Sequence, residues 1–199
     1  MRFLALGDSY TIGEGVTPAE RWPVQLAALL RAKGVALDEP EIVARTGWTA
    51  DELKAGIAAA GPRGPFDLVT LLIGVNDQYR GHPVEGFRPS FRALLAQAVG
   101  FAGGDAHRVL VVSIPDWGAT PFAAGRDRAR VAREIDAFNA VSREEAARAG
   151  IRTLDVTGST RAHPEEHVDD GLHPSGRQYR RWADAALPLA RSALSGARE

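Results

Sequence analysis

Five short runs rich in Val, Leu and Ile punctuate this chain, at residues 2–6, 41–44, 68–73, 108–113 and 151–155, and none alternates strictly with polar residues. A strand with one wet face alternates; a strand covered on both faces has no need to. Between the runs lie stretches of helical period. Residues 22–33 carry an apolar stripe (Val24, Leu26, Ala27, Leu30) closed by Gly34. Thr49-Ala50-Asp51-Glu52 is a capping-box pattern that opens a helix to about Ala60, with Gly61-Pro62 as its stop. A third helix is expected over 90–99. A long one is expected over 126–149, with Val131, Ile135, Phe138 and Val141 facing inward and Gly150 ending it. The last begins after Pro174-Ser175, and Pro188 is expected to kink or break it.

Strand–helix alternation of this kind predicts an α/β fold, a three-layer α/β/α sandwich with an open parallel sheet and right-handed crossovers. No repeat, low-complexity tract or linker divides the 199 residues, a length that suits one domain with its own core. The one long irregular stretch, 115–125, is rich in Pro, Gly and aromatics, as functional or lid-forming loops often are.

Composition narrows function by exclusion. Lys and Arg number 24 against 25 Asp and Glu, so a net charge of −1 offers no long-range attraction for nucleic acid or an anionic membrane. The absence of cysteine excludes disulfides, thiolate nucleophiles and Cys-based metal centres. No stretch approaches the roughly 20 apolar residues of a membrane span. The apolar run before Gly7 falls short of a signal-peptide core of about 7–15 residues, so a cytoplasmic location is expected.

In an open parallel sheet, ligands bind beyond the carboxyl ends of the strands. Gly7-Asp8-Ser9-Tyr10 follows the first run, Arg45-Thr46-Gly47-Trp48 the second, and Gly74-Val75-Asn76-Asp77 the third. Asp169-Asp170-Gly171-Leu172-His173-Pro174 follows the fifth, in the final loop. One edge therefore collects a hydroxyl, a flexible backbone amide, a carboxamide, a carboxylate and an imidazole. A serine hydroxyl needs an imidazole to take its proton during attack, and that imidazole works best with a carboxylate on its other nitrogen. Asp170 and His173 are close enough for one tight turn to join them. An oxyanion also needs donors, and the N–H groups of Ser9 and Gly47 and the side-chain amide of Asn76 are the candidates. Losing one such donor costs roughly 100- to 1,000-fold in rate.

On these four blocks the chain resembles the SGNH hydrolases, also called the GDSL esterase/lipase family. The Gly-Asp-Ser block falls on Gly7-Asp8-Ser9, the second-block glycine on Gly47, Gly-x-Asn-Asp on Gly74-Val75-Asn76-Asp77, and Asp-x-x-His on Asp170-Gly171-Leu172-His173. The resemblance implies a nucleophile at Ser9, a base at His173, an orienting acid at Asp170 and oxyanion donors at Ser9, Gly47 and Asn76. It also implies a flavodoxin-like five-stranded parallel sheet of order 2-1-3-4-5. The expected reaction is hydrolysis of a small-molecule carboxylic ester with a short acyl group through acyl-Ser9, with no metal and no cofactor. A thioester or an acetylated sugar is the alternative substrate for the same site. Tyr10, Trp48, Tyr79, His82, Trp117 and Phe122 stand where they could line the cleft, though each could equally be a core or rim residue.

Competing readings of single features are weaker. Ser9 alone could cap a turn, and Gly47 could serve only a tight turn. Asp77 and Asp8 read as structural. His163-Pro164-Glu165-Glu166-His167 matches a zinc-peptidase pattern that requires a helix, which Pro164 opposes. Gly13-Glu14-Gly15 could suggest a phosphate cradle in a nucleotide- or flavin-binding module, but it lacks G-x-G-x-x-G spacing and carries an acid at its centre. The G-x-S-x-G elbow of the α/β-hydrolases does not surround Ser9.

Overall fold

The computed structural model describes residues 1–196. Five parallel strands, β1 (Phe3–Gly7), β2 (Glu41–Ala44), β3 (Leu68–Leu72), β4 (Val109–Val112) and β5 (Arg152–Leu154), form one sheet in the order β2-β1-β3-β4-β5. Every residue of β1, β3 and β4 is buried, which accounts for the missing polar alternation. The edge strands β2 and β5 are partly exposed and carry Glu41 and Arg152, charges that discourage pairing with another chain.

The helices are α1 (Ser9–Ile12), α2 (Trp22–Ala32), α3 (Ala50–Ala60), α4 (Val75–Tyr79), α5 (Val84–Phe101), α6 (Arg128–Arg148), α7 (Thr157–Ala162) and α8 (Gly176–Ser195). One layer is the pair α2 and α8, and a second is α3, α5 and α6. In α8 the buried residues Tyr179, Trp182, Ala183, Ala186, Ala190 and Ala193 recur at helical spacing, so small side chains let it lie close to Trp22, Leu26, Ala27 and Leu30 of α2. The capping box forms as expected: Thr49 Oγ1 accepts from Glu52 N at 3.3 Å, and Glu52 Oε2 accepts from Thr49 N at 2.8 Å.

Two helix expectations need correction, the start of the 90–99 helix and the break at Pro188. α5 begins at Val84, well before residue 90, and runs through Pro89; α8 runs through Pro188 without a break. Each proline deletes the bond to the carbonyl four residues back, and the residues there, Glu85 and Asp184, are both exposed. Water can satisfy those carbonyls, so the lost bond does not stop the helix.

The order β2-β1-β3 places consecutive connections on opposite sides of β1. A crevice therefore opens at the carboxyl end of β1, between the ends of β2 and β3.

Candidate active site

Gly7 ends β1 in register with Ala44 of β2 and Leu72 of β3. A Cβ there would stand 2.2 Å from Thr11 Oγ1 and 2.5 Å from Leu72 O, so only glycine lets the chain turn this tightly into α1. Asp8 then caps that turn by accepting the Tyr10 N–H at 3.0 Å. Ser9, the next residue, emerges in the crevice. It lines a cleft of about 170 Å³ with Tyr10, Thr46, Gly47, Val75, Asn76, Tyr79, Trp117, Phe122, Leu172 and His173. Segments separated by most of the chain thus meet in one small space.

His173 and Asp170 come from a closed loop. His167 and Pro174 form an antiparallel bridge, and Val168 N donates to His173 O at 2.9 Å. The turn between them is closed by Gly171 N donating to Val168 O. Asp170 Oδ1 accepts from the backbone N–H groups of Leu172 and His173 at 2.8 and 2.9 Å, and Oδ2 lies 2.6 Å from His173 Nδ1. Partial burial pushes the Asp170 carboxyl upward, but the His173 ring and the two N–H groups outweigh it and hold the group below the usual carboxylate range. With Nδ1 committed to Asp170, Nε2 is the nitrogen left for chemistry. Ser9 Oγ and the ring line the same cleft without a hydrogen bond between them; catalytic bonds of this kind commonly form only in the complex with substrate.

The expected donors share a property. Among the described residues, neither the Ser9 N–H nor the Gly47 N–H has a hydrogen-bond acceptor. The Asn76 amide gives one hydrogen to Trp48 O at 3.0 Å and keeps the other. Gly47 sits at φ +87°, a conformation that other residues rarely adopt.

Tyr10, Tyr79, Trp117 and Phe122 line the cleft as expected, but Trp48 and His82 do not. The Trp48 ring instead lies over Gly56 of α3, so tightly that a Cβ on Gly56 would stand 2.1 Å from it. His82 is turned toward Asp77, with Nδ1 3.6 Å from Oδ1. Asp77 accepts the Ala50 N–H at 2.9 Å, a structural role. Asp8 is fully buried, and burial pushes its carboxyl up to about 8; the Tyr10 N–H opposes this and the charge of Asp77 adds to it. Thr46, Val75 and Leu172 also line the cleft. Only their position beside a motif residue could have marked them.

The 115–125 stretch contributes Trp117 and Phe122 to the cleft, but it is anchored on several sides. Its two 3₁₀ turns are held by Trp117 Nε1 donating to Gln78 Oε1 at 2.8 Å, Arg161 Nε donating to Asp116 Oδ2 at 2.7 Å, and Phe122 N donating to Gly171 O at 2.9 Å. The 163–167 pattern lies outside any helix, because α7 ends at Ala162. Ligand atoms of His163, Glu165 and Glu166 come within 4.8 Å of one another, but Glu166 is already held by Arg181 and Arg177, and His167 faces Val168 O. No helix is long and apolar enough to cross a membrane among the described residues.

Comparison with known proteins agrees with this architecture. The family described as GDSL-like Lipase/Acylhydrolase matches residues 5–181. Among solved structures, TesA superposes with a TM-score of 0.76 at 21% identity, covering 98% of this chain and 100% of its own. Axe2, an acetylxylan esterase from Geobacillus stearothermophilus, gives 0.72 at 18% identity over 95% of this chain and 93% of its own. The psychrotrophic esterase EstA from Pseudoalteromonas sp. gives 0.71 at 17% identity over 98% of each chain. No curated protein matches the chain.

Proposed function

The chain belongs to the GDSL-like lipase/acylhydrolase family, a carboxylic ester hydrolase lineage, and from that premise we propose that Ser9 is the nucleophile of a two-step esterase for short acyl groups. His173 takes the Ser9 proton as the hydroxyl attacks the ester carbonyl, and Asp170 holds the ring in the tautomer that leaves Nε2 free to receive it. The carbonyl oxygen becomes an oxyanion that accepts from the Ser9 and Gly47 N–H groups and the second Asn76 amide hydrogen. His173 then gives its proton to the leaving alcohol. Water, activated by the same ring, attacks acyl-Ser9 and releases the acid.

One observation carries this reading. A hydroxyl, an imidazole already bound to a carboxylate, and three uncommitted N–H donors line a single cleft. The size of that cleft supports the short acyl group: about 170 Å³ is well below the roughly 300–1,000 Å³ of ordinary small-molecule sites. Exposed aromatics at the rim, Tyr79 at 46% and Phe122 at 38%, favour a second reading in which the alcohol is a sugar whose ring stacks there. A panel of p-nitrophenyl esters, an acetylated sugar and an acyl thioester tests both. Turnover by the wild type and its loss in a folded Ser9→Ala variant is the expected result. Undiminished hydrolysis by that variant overturns the assignment, and the preferred substrate in the panel decides between the readings.

A further inference from the structure

The segment that carries Gly47 is held from one side by α4 and the residue after it. Asn76 Nδ2 donates to Trp48 O at 3.0 Å, Asp77 Oδ2 accepts from Ala50 N at 2.9 Å, and Arg80 Nη2 donates to Gly47 O at 2.6 Å. Asn76 and Arg80 are four apart, the spacing that sets two side chains on one helical face. Arg80 is itself oriented: its Nη1 lies 3.2 Å from Glu52 Oε1, and the other Glu52 oxygen caps Thr49 N. A ring of contacts therefore runs from Gly47 through Arg80, Glu52 and Thr49 back to the same loop.

This geometry matters because Gly47 has no side chain of its own to hold its N–H in place. Ser9 is fixed by the turn that Asp8 caps, and Asn76 by its bond to Trp48 O. Gly47 has no side chain and stands at φ +87° between Thr46 and Trp48. Its own carbonyl is the handle by which its conformation can be set. The charge-assisted bond of 2.6 Å from Arg80 is the one hydrogen bond that carbonyl accepts among the described residues. An oxyanion donor is effective to the extent that it is already aimed before charge develops.

We infer that Arg80 is a positioning residue for the oxyanion hole, acting through the Gly47 carbonyl and not by touching substrate. This rests on the ester-hydrolase reading above. Its signature is a loss confined to the transition state. Arg80→Ala lowers kcat by roughly 10-fold, less than the about 100-fold loss of a donor removed outright, with KM within about twofold. Affinity for a boronic acid or trifluoromethyl ketone, which places an oxyanion in the site, falls by a similar factor. Arg80→Lys keeps a cation near Gly47 O and restores part of both.

The test measures kcat, KM and oxyanion-analogue affinity for the wild type, Arg80→Ala and Arg80→Lys, with fluorophosphonate labelling of Ser9 alongside. Unlabelled wild-type Ser9 overturns the underlying reading. Labelled Ser9 with kcat and analogue affinity unchanged in Arg80→Ala overturns the role of Arg80 alone, as does a rise in KM at constant kcat. Should Arg80→Ala fail to fold, Arg80→Lys decides: a smaller but parallel fall in kcat and analogue affinity supports the inference, and wild-type values overturn it.

Discussion

Asp8 stands beside Ser9 in the chain yet takes no part in the chemistry proposed for the cleft. Its side chain is wholly buried, one oxygen receives the Tyr10 N–H, and the other has no partner among the described residues. Burial pushes the carboxyl from its ordinary 3.8 up to about 8. Between those two values the folded chain binds a proton that the unfolded chain does not. The contribution to stability is therefore complete below the lower value, is lost as pH rises through the interval, and levels above about 8. Asp8→Asn keeps the acceptor for Tyr10 and removes the titration. Thermal unfolding of the variant should decline less than that of the wild type between pH 5 and pH 8, and parallel curves would show that the carboxyl does not titrate there. Asp170 behaves in the opposite sense. Its lowered value makes its contribution present above the ordinary carboxylate range and lost as pH falls through the depressed one.

At the scale of elements, α6 fixes where β4 stops and the cleft-lining 115–125 segment starts. Asn139 accepts from Ile114 N at 2.7 Å, donates to Ile114 O at 3.0 Å and donates to Thr157 Oγ1 at 3.0 Å, all buried. Asn139→Ala strands the Ile114 N–H and removes three bonds at once. A loss of about 3 kcal/mol is expected, read in a denaturant midpoint as a shift without a change in slope. A loss below about 1 kcal/mol would mean that water replaces the amide. The sequence pattern showed all five strands and the long helices, because runs of Val, Leu and Ile, unbroken burial in β1, β3 and β4, and capping leave direct traces in residue type. It did not show α4, α7 or the true start of α5, since short helices lack a full apolar period and the exposure of Glu85 is invisible until the fold exists. The candidate site was legible where the proposed chemistry demands a residue type, at Ser9, Asn76, Asp170 and His173. It was not legible where contact alone decides. Trp48 had the right composition and neighbourhood for the cleft and packs on Gly56 instead.

For the whole molecule, topology does the gathering. Because β1 lies between β2 and β3, the loops after all three strands reach one crevice, and the loop before α8 brings His173 to it with Asp170 on the ring's Nδ1. The cleft's far wall is less able to yield than its rim: Trp117 is buried and tied to Gln78, whereas Phe122 is partly exposed. Acetyl and butyryl esters should therefore be hydrolysed faster than octanoyl esters. Phe122→Ala should raise the octanoyl-to-acetyl ratio of kcat/KM by about 3- to 10-fold, as removing apolar wall from a pocket does; an unchanged ratio would place the acyl chain elsewhere. The central claim, covalent catalysis at Ser9, is tested most directly by acid-quenching the enzyme during turnover of a p-nitrophenyl ester and locating the acyl mass by peptide mass spectrometry. The account predicts acylation of the peptide at Ser9 and none in Ser9→Ala. An acyl group on another residue, or rapid turnover with Ser9 never acylated, would contradict it.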